Sequence, residues 1–185
     1  MQPPPKELLI RASEGDAEAF EQIYRATADY VYTIAVGITG NRADAEEVAQ
    51  DVFVKVHRGL GRFRFEASFT TWLYRITVNR ALTEAKRSGR RRARRAEFDD
   101  GMAVEDPRNA TRETVEREEN ETRVRFLLKG LRPEQRACIV MREMDGMRYG
   151  EIARALGVKL NTVRSRIRRA REALCARARA GGGME

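Results

Sequence analysis

Apolar residues recur at intervals of three and four along most of this chain, which is the period of amphipathic helices. The pattern predicts a short helix from about Lys6 to Ser13, and Asp16 can cap a second helix that ends at Gly40. Asn41 can cap a third helix. The inward-facing positions of that helix are Ala45, Val48, Val52 and Val56. The amino-terminal half is therefore expected to be helical nearly throughout.

A loop and then a change of composition follow the third helix. Gly59 and Gly61 open the loop, and a fourth helix is predicted from about Phe69 to Arg87. A basic block around Arg90 to Arg95 comes next, and residues 97–121 then hold ten acidic residues against three arginines. Few large apolar residues occur there, as expected for a flexible acidic linker, although a merely solvated charged segment fits as well.

The helical period returns beyond this stretch. Pro133 stands at the first-turn position of a helix that stops at Asp145 and Gly146. At 185 residues, the chain has room for two small cores. We predict an all-α fold of two small helical domains joined by a flexible acidic linker. The expected bounds are residues 1–95, 96–120 for the linker, and 121–185.

Two short helices joined by a tight turn are predicted between Tyr149 and Leu174. Gly157 can adopt the positive φ of the turn. The second helix has an apolar stripe, Val163, Ile167, Ala170 and Leu174, while five arginines lie on its other faces. This is the layout of a helix-turn-helix whose second helix enters a DNA major groove, although an arginine-rich helix can also be a solvated face. Lys159 is a poor N-cap, so Asn161 is expected to cap a helix that starts later.

The charge balance favours a polyanionic partner. Lys and Arg total 36 against 28 Asp and Glu, which gives a net charge of +8 and a pI near 10. Residues 132–185 hold thirteen basic and six acidic side chains, so the excess lies where DNA binding by a helix-turn-helix requires it. No apolar run is long enough to span a membrane and no secretory leader is recognised, so a cytoplasmic location is expected.

Aromatic and basic residues are interleaved in the loop and the fourth helix. Trp72 has the helical spacing of a core residue. Phe63 and Phe65 lie instead in a loop that contains arginines, where a flat apolar ring beside cations suits an unstacked base. Asn79 carries an amide that either satisfies a nearby backbone group or reads a base. The segment is therefore a candidate binding site for a single strand.

The third helix has an acidic outer face that fits either a solvated surface or a partner-binding surface. His57 lacks neighbouring ligand residues, and Cys138 and Cys175 lack metal-binding or redox spacing. We therefore expect a surface histidine and two reduced cysteines. Because no nucleophile with a base, no phosphate-cradling glycine loop and no metal cluster is recognised, a non-enzyme with no metal and no cofactor is predicted.

Two blocks of the sequence resemble a known family. Region two of bacterial RNA polymerase sigma factors is similar to DAEEVAQDVFVKVHR followed by FTTWLYRITVNRALTEAKR, and region four is similar to LRPEQRACIVMREMDGMRYGEIARALGVKLNTVRSRIRRAREAL. Both blocks, in this order, resemble the small extracytoplasmic-function (ECF) group. The resemblance implies a factor that binds core RNA polymerase and directs promoter-specific transcription initiation. Its implied partners are the largest-subunit clamp and the flap of the polymerase, duplex and single-stranded promoter DNA, and an anti-sigma factor, with no membrane insertion.

The resemblance also implies roles for individual residues. The third helix would bind the polymerase clamp through Glu46, Glu47, Gln50 and Asp51. The loop and fourth helix would open the minus-ten element and hold an unstacked base, with contacts from Lys55, Phe63, Arg75, Asn79 and Arg80. The second helix of the helix-turn-helix would read the minus-thirty-five duplex through Asn161, Thr162, Arg164, Ser165, Arg168 and Arg169.

Two other interpretations remain open on the residues alone. A free-standing helix-turn-helix regulator would bind duplex DNA unaided, but it leaves the aromatic and basic segment from Phe63 to Arg80 unexplained. A helical protein-interaction scaffold would use the acidic helix and the linker, but it leaves the basic charge of the last domain unexplained. Promoter opening that requires both the chain and core polymerase separates the sigma factor from both alternatives.

Overall fold

A computed structural model describes residues 3–66, 68–98, 127–128 and 130–181, and no β-strand occurs among them. The helices are α1 (Lys6–Ser13), α2 (Ala17–Thr39), α3 (Arg42–Leu60), α4 (Phe69–Phe98), α5 (Pro133–Ile139), α6 (Tyr149–Leu156) and α7 (Leu160–Gly181), with a π-helical turn at Val140–Met144 after α5. The predicted all-α class is confirmed. No helix in the described ranges is long and apolar enough to cross a membrane.

Local signals place the first helices where the sequence predicted them. The Asp16 side chain accepts a hydrogen bond from the backbone N–H of Ala19 at 3.0 Å, which caps α2. Asn41 caps α3 in the same way through the N–H of Asp44 at 2.9 Å. Between these helices the chain reverses at Gly40, whose φ of 69° suits a residue without a side chain. The apolar faces of α1 to α4 then bury one another in a four-helix arrangement.

The carboxyl-terminal block consists of α5, the π-helical turn, α6 and α7. Pro133 occupies the first turn of α5, as predicted. The apolar stripe of α7 is buried through Val163, Ile167 and Ala170, against α5 and the buried Ile152 of α6. This packing fixes α7 at one angle relative to α6.

The two blocks pack against each other and share one buried core. Arg136 of α5 is buried, and its Nη1 donates to the carbonyl oxygen of Ile38, near the carboxyl end of α2, at 2.9 Å. Its Nε donates to the Leu128 carbonyl at 2.9 Å. Burial lowers the pKa of Arg136 to about 10. A Cβ atom on Gly40 would lie 2.7 Å from Arg136 Nη1, so glycine at this position also makes room for the guanidinium.

Three helix bounds differ from the prediction. α3 continues to Leu60, which is buried, and α4 continues to Phe98 through a run of helix-forming Arg and Ala residues. α7 starts at Leu160, where the backbone carbonyl of Lys159 accepts a hydrogen bond from the N–H of Thr162 at 2.9 Å. The predicted linker lies outside the described residues except for the last residues of α4, and its bounds stay a prediction.

Helix ends after Pro133 also differ. The uniform α-helix predicted from Pro133 to Asp145 changes into a π-helical turn at Val140–Met144. A Cβ atom on Gly37 of α2 would lie 3.1 Å from Val140 Cγ2, so the turn begins where the two blocks approach closely. α7 runs beyond Leu174 to Gly181.

Candidate functional site

The helix-turn-helix presents one face of α7 to solvent. Gly157 ends α6 with a φ of 64°, and the N–H of Val158 donates to the Ala153 carbonyl at 3.0 Å. Because the apolar stripe of α7 is turned inward, the opposite side of its first turns is left on the surface. On that side Asn161, Arg164, Arg168 and Arg169 are exposed, and Thr162 and Ser165 are half-buried.

The arginines on this face are not equally available. Arg164 donates to the side chain of Asn161 at 3.3 Å, and Arg168 pairs with Glu172 at 2.8 Å. Arg169 is exposed and has no ion pair or side-chain hydrogen bond within the described part of the chain. The Ser165 hydroxyl donates to the Thr162 carbonyl at 2.9 Å. The face therefore offers side-chain hydrogen-bond donors and acceptors together with positive charge that no carboxylate neutralises.

The loop between α3 and α4 holds an aromatic cluster. The ring centroid of Phe63 lies 5.0 Å from that of Trp72 and 4.8 Å from that of Phe65, and Phe63 is half-buried among them. Phe65 is 39% exposed and adopts a φ of 56°. The Lys6 ammonium lies 5.4 Å from the centroid of the Phe65 ring. Phe65 is thus the outermost ring of the cluster, and Phe63 packs against both Phe65 and Trp72.

Three of the residues expected to contact a strand are exposed at one level along α3 and α4. Arg75 and Asn79 are exposed one turn apart on α4, and Lys55 is exposed on α3. Ion pairs join Asp51 to Arg80 and Asp44 to Arg91, so the two helices run antiparallel. Lys55, one turn beyond Asp51 along α3, therefore lies at the level of Arg75 and Asn79 along α4.

Arg80 is placed differently from the other strand candidates. It is buried at 9% exposure, and its Nε donates to Asp51 of α3 at 2.5 Å. Its terminal nitrogens donate to Glu84 at 2.9 Å and to Glu47 at 3.2 Å. The expectation that Arg80 contacts the strand does not fit this geometry, because its guanidinium already serves three carboxylates inside the helix pair. No sequence signal pointed to these partners.

Glu84 is the buried centre of the same network. Besides Arg80, it accepts from Arg91 at 2.6 Å and from the Ser88 hydroxyl at 3.2 Å. Burial acts to raise the pKa of Glu84, but the hydrogen bonds from Arg80 and Ser88 outweigh it, so the pKa lies below its ordinary value. Glu84 therefore stays ionised, and the network holds α4 against α3.

The acidic surface of α3 is divided into two rows. The inner row, Asp44, Glu47 and Asp51, pairs with arginines of α4. The outer row consists of Glu46 and Gln50, which are exposed and have no side-chain partner among the described residues. Val54, 46% exposed, continues the outer row by one turn. Of the four residues expected to bind a partner, two are thus free and two are shared with α4.

A second polar contact joins the two blocks beside a cleft of about 640 Å³. The Tyr74 hydroxyl of α4 donates to the carboxylate of Asp145 at 2.6 Å. Burial raises the pKa of Asp145, and the bond from Tyr74 offsets part of that rise. Burial and the nearby Asp145 raise the pKa of Tyr30 to about 12. The strand candidate Arg75 lines this cleft.

Comparison with known proteins decides the family. Family models of sigma-70 region 2 and sigma-70 region 4 match residues 23–91 and 122–174. The RNA polymerase sigma-H factor of Pseudomonas aeruginosa is 35% identical to this chain over 176 residues, which is 91% of each chain. The chain belongs to the ECF group of the sigma-70 family. The ECF RNA polymerase sigma-E factor of Escherichia coli K12 is likewise 35% identical over 176 residues, covering 90% of each chain.

Solved structures agree with this assignment. The ECF factor described here superposes on CnrH, solved in complex with the cytosolic domain of CnrY, with a TM-score of 0.65 and 26% identity, covering 94% and 96% of the two chains. The sigma factor RpoE of Bartonella quintana, solved with the anti-sigma factor NepR, gives a TM-score of 0.60 at 22% identity over 85% and 95% of the chains, which supports the fold. The chain is thus an ECF sigma factor that directs transcription.

Within this sigma factor, the expected site residues form three groups. Region 2 carries the polymerase candidates on α3 and the strand candidates at the level of Lys55, Arg75 and Asn79. Region 4 carries the duplex candidates on one face of α7. Among the described residues, no three His, Cys, Asp or Glu side chains are grouped in a way that could hold a metal ion.

Proposed function

We propose that this sigma factor docks on core RNA polymerase through α3, reads the minus-thirty-five duplex with α7 and opens the minus-ten element with the α3–α4 loop and α4. The exposed cationic face of α7, opposite an apolar stripe that is buried at Val163, Ile167 and Ala170, carries the proposal best. A helix held at a fixed angle with its polar face free has the geometry of a major-groove reader.

Readout of the duplex falls to the exposed side of α7. Asn161 and Thr162 lie in its first turn, where a recognition helix contacts base edges, and Arg164, Ser165, Arg168 and Arg169 extend the same face. Side chains that pair well with bases discriminate by about 1–3 kcal/mol each. Arg169 has no partner to displace, so we assign it a phosphate or base contact that forms without an internal ion pair being broken.

Opening of the duplex falls to region 2. Unstacking a base requires a few kcal/mol, and a ring with an adjacent amide and cations can offset this. Phe65 offers the exposed ring beside Phe63, Asn79 offers the amide, and Arg75 and Lys55 offer the cations. We assign Arg80 a positioning role between α3 and α4 in place of a DNA contact. Binding energy, without a catalytic step, would drive the opening.

Docking on the polymerase clamp falls to the acidic surface of α3. Glu46 and Gln50 can be contacted directly, whereas Glu47 and Asp51 must be shared with α4 arginines. We further propose that region 4 contacts the polymerase flap. We also propose an anti-sigma factor as a regulatory partner, because both superposed relatives were solved with a bound partner. We propose a cytoplasmic location, because the proposed function requires bacterial RNA polymerase.

Two single substitutions test the division of labour in reconstituted holoenzyme. Arg169→Ala should weaken binding of duplex minus-thirty-five DNA by roughly 5- to 150-fold, the range of one lost contact worth about 1–3 kcal/mol. Asn79→Ala should leave that binding intact but reduce the amount of opened promoter. Arg179→Ala, an exposed arginine near the end of α7, is the matched control for loss of charge. Equal effects of Arg169→Ala and Asn79→Ala on both steps would refute the assignment.

A further inference from the structure

Ion pairs between α3 and α4 of region 2 neutralise a surface that the proposed function uses both for polymerase docking and for DNA binding. Glu47 of α3 pairs with Arg87 at 3.4 Å, and Asp44 pairs with Arg91 and Arg92 at 3.8 Å each. Glu47 is a candidate polymerase contact, and the arginines follow the strand candidates along α4. The same carboxylates therefore face both a protein partner and a row of cations.

These cations lie at the surface, unlike Arg80. The side chains of Arg87 and Arg92 are 60% and 51% exposed although each has a carboxylate partner on α3, whereas Arg91 is also held by the buried Glu84 at 2.6 Å. Exposed pairs of this kind are weak and are exchanged readily for other partners. On the same stretch Arg90 and Arg94 are exposed and have no partner among the described residues.

The arginines continue the strand-binding surface along the helix axis. From Asn79 to Arg90 is eleven residues, which in an α-helix is about 16 Å of rise and about 20° of rotation, so the two lie nearly in line. Arg87 lies about 80° around the helix from Asn79, within the sweep of a long arginine side chain. A DNA backbone that passes Arg75 and Asn79 would next meet this row.

We propose that Arg87 is a DNA phosphate-binding residue that the chain itself masks with Glu47. When α3 docks on the polymerase, Glu47 gains a new cationic partner and Arg87 is released to a phosphodiester group of the promoter. This inference rests on the proposed polymerase-binding role of α3. It makes polymerase binding and DNA binding favour each other, since each removes the internal partner of the other.

The masking explains how a chain with a net charge of +8 would avoid binding DNA indiscriminately through region 2. Arg87 would add one phosphate contact only after docking. Because every such contact releases condensed counterions, unmasking also makes DNA binding more dependent on salt. Affinity and its salt dependence therefore both report the release.

The test uses the full chain without polymerase and measures binding to a fluorescent duplex oligonucleotide and to one of its single strands at several salt concentrations. Glu47→Gln should raise the affinity about three- to tenfold and steepen the log–log salt slope by about 0.7–0.9, the contribution of one phosphate contact. Glu46→Gln removes the same charge one residue away, where no arginine is paired, and reports the general electrostatic effect. Circular dichroism confirms that each variant is folded.

A double substitution separates unmasking from the change of net charge. Glu47→Gln combined with Arg87→Ala should return affinity and salt slope to the values of the unsubstituted chain. The affinity gain is compared between the duplex and the single strand. The larger gain identifies the form of DNA whose phosphates contact the arginines of α4. The proposal is overturned if Glu47→Gln and Glu46→Gln raise affinity equally with unchanged slopes, or if Arg87→Ala leaves the gain in place. Either result is independent of promoter opening by the holoenzyme, which is measured separately.

Discussion

The hydrogen bond from Tyr74 to Asp145 gives the most direct handle on how regions 2 and 4 hold each other. It joins α4 to the turn before α6 at 2.6 Å, where Tyr74 is buried and Asp145 is half-buried. Tyr74→Phe removes the donor and keeps the ring. Tyr30 provides the matched control, since its ring centroid lies 6.3 Å from that of Tyr74 and its hydroxyl has no hydrogen bond in the described structure.

The expected size of the effect follows from the chemistry of the pair. A hydrogen bond to a charged group contributes about 1.5–3 kcal/mol, and its loss leaves the Asp145 carboxylate buried without this partner. At about 1.4 kcal/mol per factor of ten, the contact between the two regions should open roughly ten- to a hundredfold more often. Tyr30→Phe should change the opening by much less than tenfold.

The cysteines supply the assay without added labels. Cys138 of α5 is buried near the contact between the regions, whereas Cys175 on α7 is exposed. The rate at which a thiol reagent modifies Cys138, divided by the rate at Cys175, therefore reports how often the buried site opens. Tyr74→Phe should raise this ratio by the factor given above. Equal ratios for Tyr74→Phe and Tyr30→Phe would refute the role given to this hydrogen bond.

The same pair predicts a dependence on pH. Because the pKa of Asp145 is raised in the folded chain, the folded state binds a proton that the unfolded state lacks between the ordinary aspartate value and the raised pKa. Stability from this group is therefore gained as pH falls through the raised pKa, and the penalty of the buried carboxylate is fully present only above that pKa. The difference between Tyr74→Phe and the unsubstituted chain should shrink as the pH is lowered through the raised pKa of Asp145.

Three further substitutions test the local structure, each by urea unfolding of the full chain. Arg80→Ala should lower the free energy of unfolding by about 2–3 kcal/mol, less than the full loss of a buried pair because Glu84 keeps its bond to Arg91; an effect below 0.5 kcal/mol would contradict its positioning role. Gly157→Ala should destabilise by about 1–2 kcal/mol through its φ of 64° alone, since a Cβ there meets no atom within 4 Å. Asn41→Ala should cost about 1 kcal/mol and Asn41→Ser almost nothing, because serine can also cap α3.

Structural features that depend on residues close together in the chain could be predicted from the sequence. Asp16 and Asn41 cap helices at the predicted places, Gly157 forms the predicted turn, and three of the four residues of the α7 stripe are buried as their spacing indicated, while Leu174 is half-buried. Each of these depends on a side chain and a backbone group less than a turn or two away. The helical class and the face of α7 that is left for a ligand follow from them.

Contacts between residues that are far apart in the sequence could not be predicted from it. Arg80 was expected on DNA because an arginine beside Asn79 suggests it, but its carboxylate partners on α3 lie 29 and 33 residues earlier in the chain. Arg136 reaches the Ile38 carbonyl across 98 residues, and nothing in its local sequence indicates burial. The register between helices, which decides these pairs, is fixed by packing of whole faces and not by any local motif.

The central claim is that regions 2 and 4 grip a promoter in two forms, duplex and opened, and do so on the polymerase. Permanganate reactivity of unpaired thymines in a promoter selected by the reconstituted holoenzyme measures this directly. The account predicts reactive thymines near the minus-ten element only when the chain and core polymerase are both present, and fewer of them with Asn79→Ala. Reactivity with the chain alone, or none with both components although the duplex upstream is bound, would contradict it.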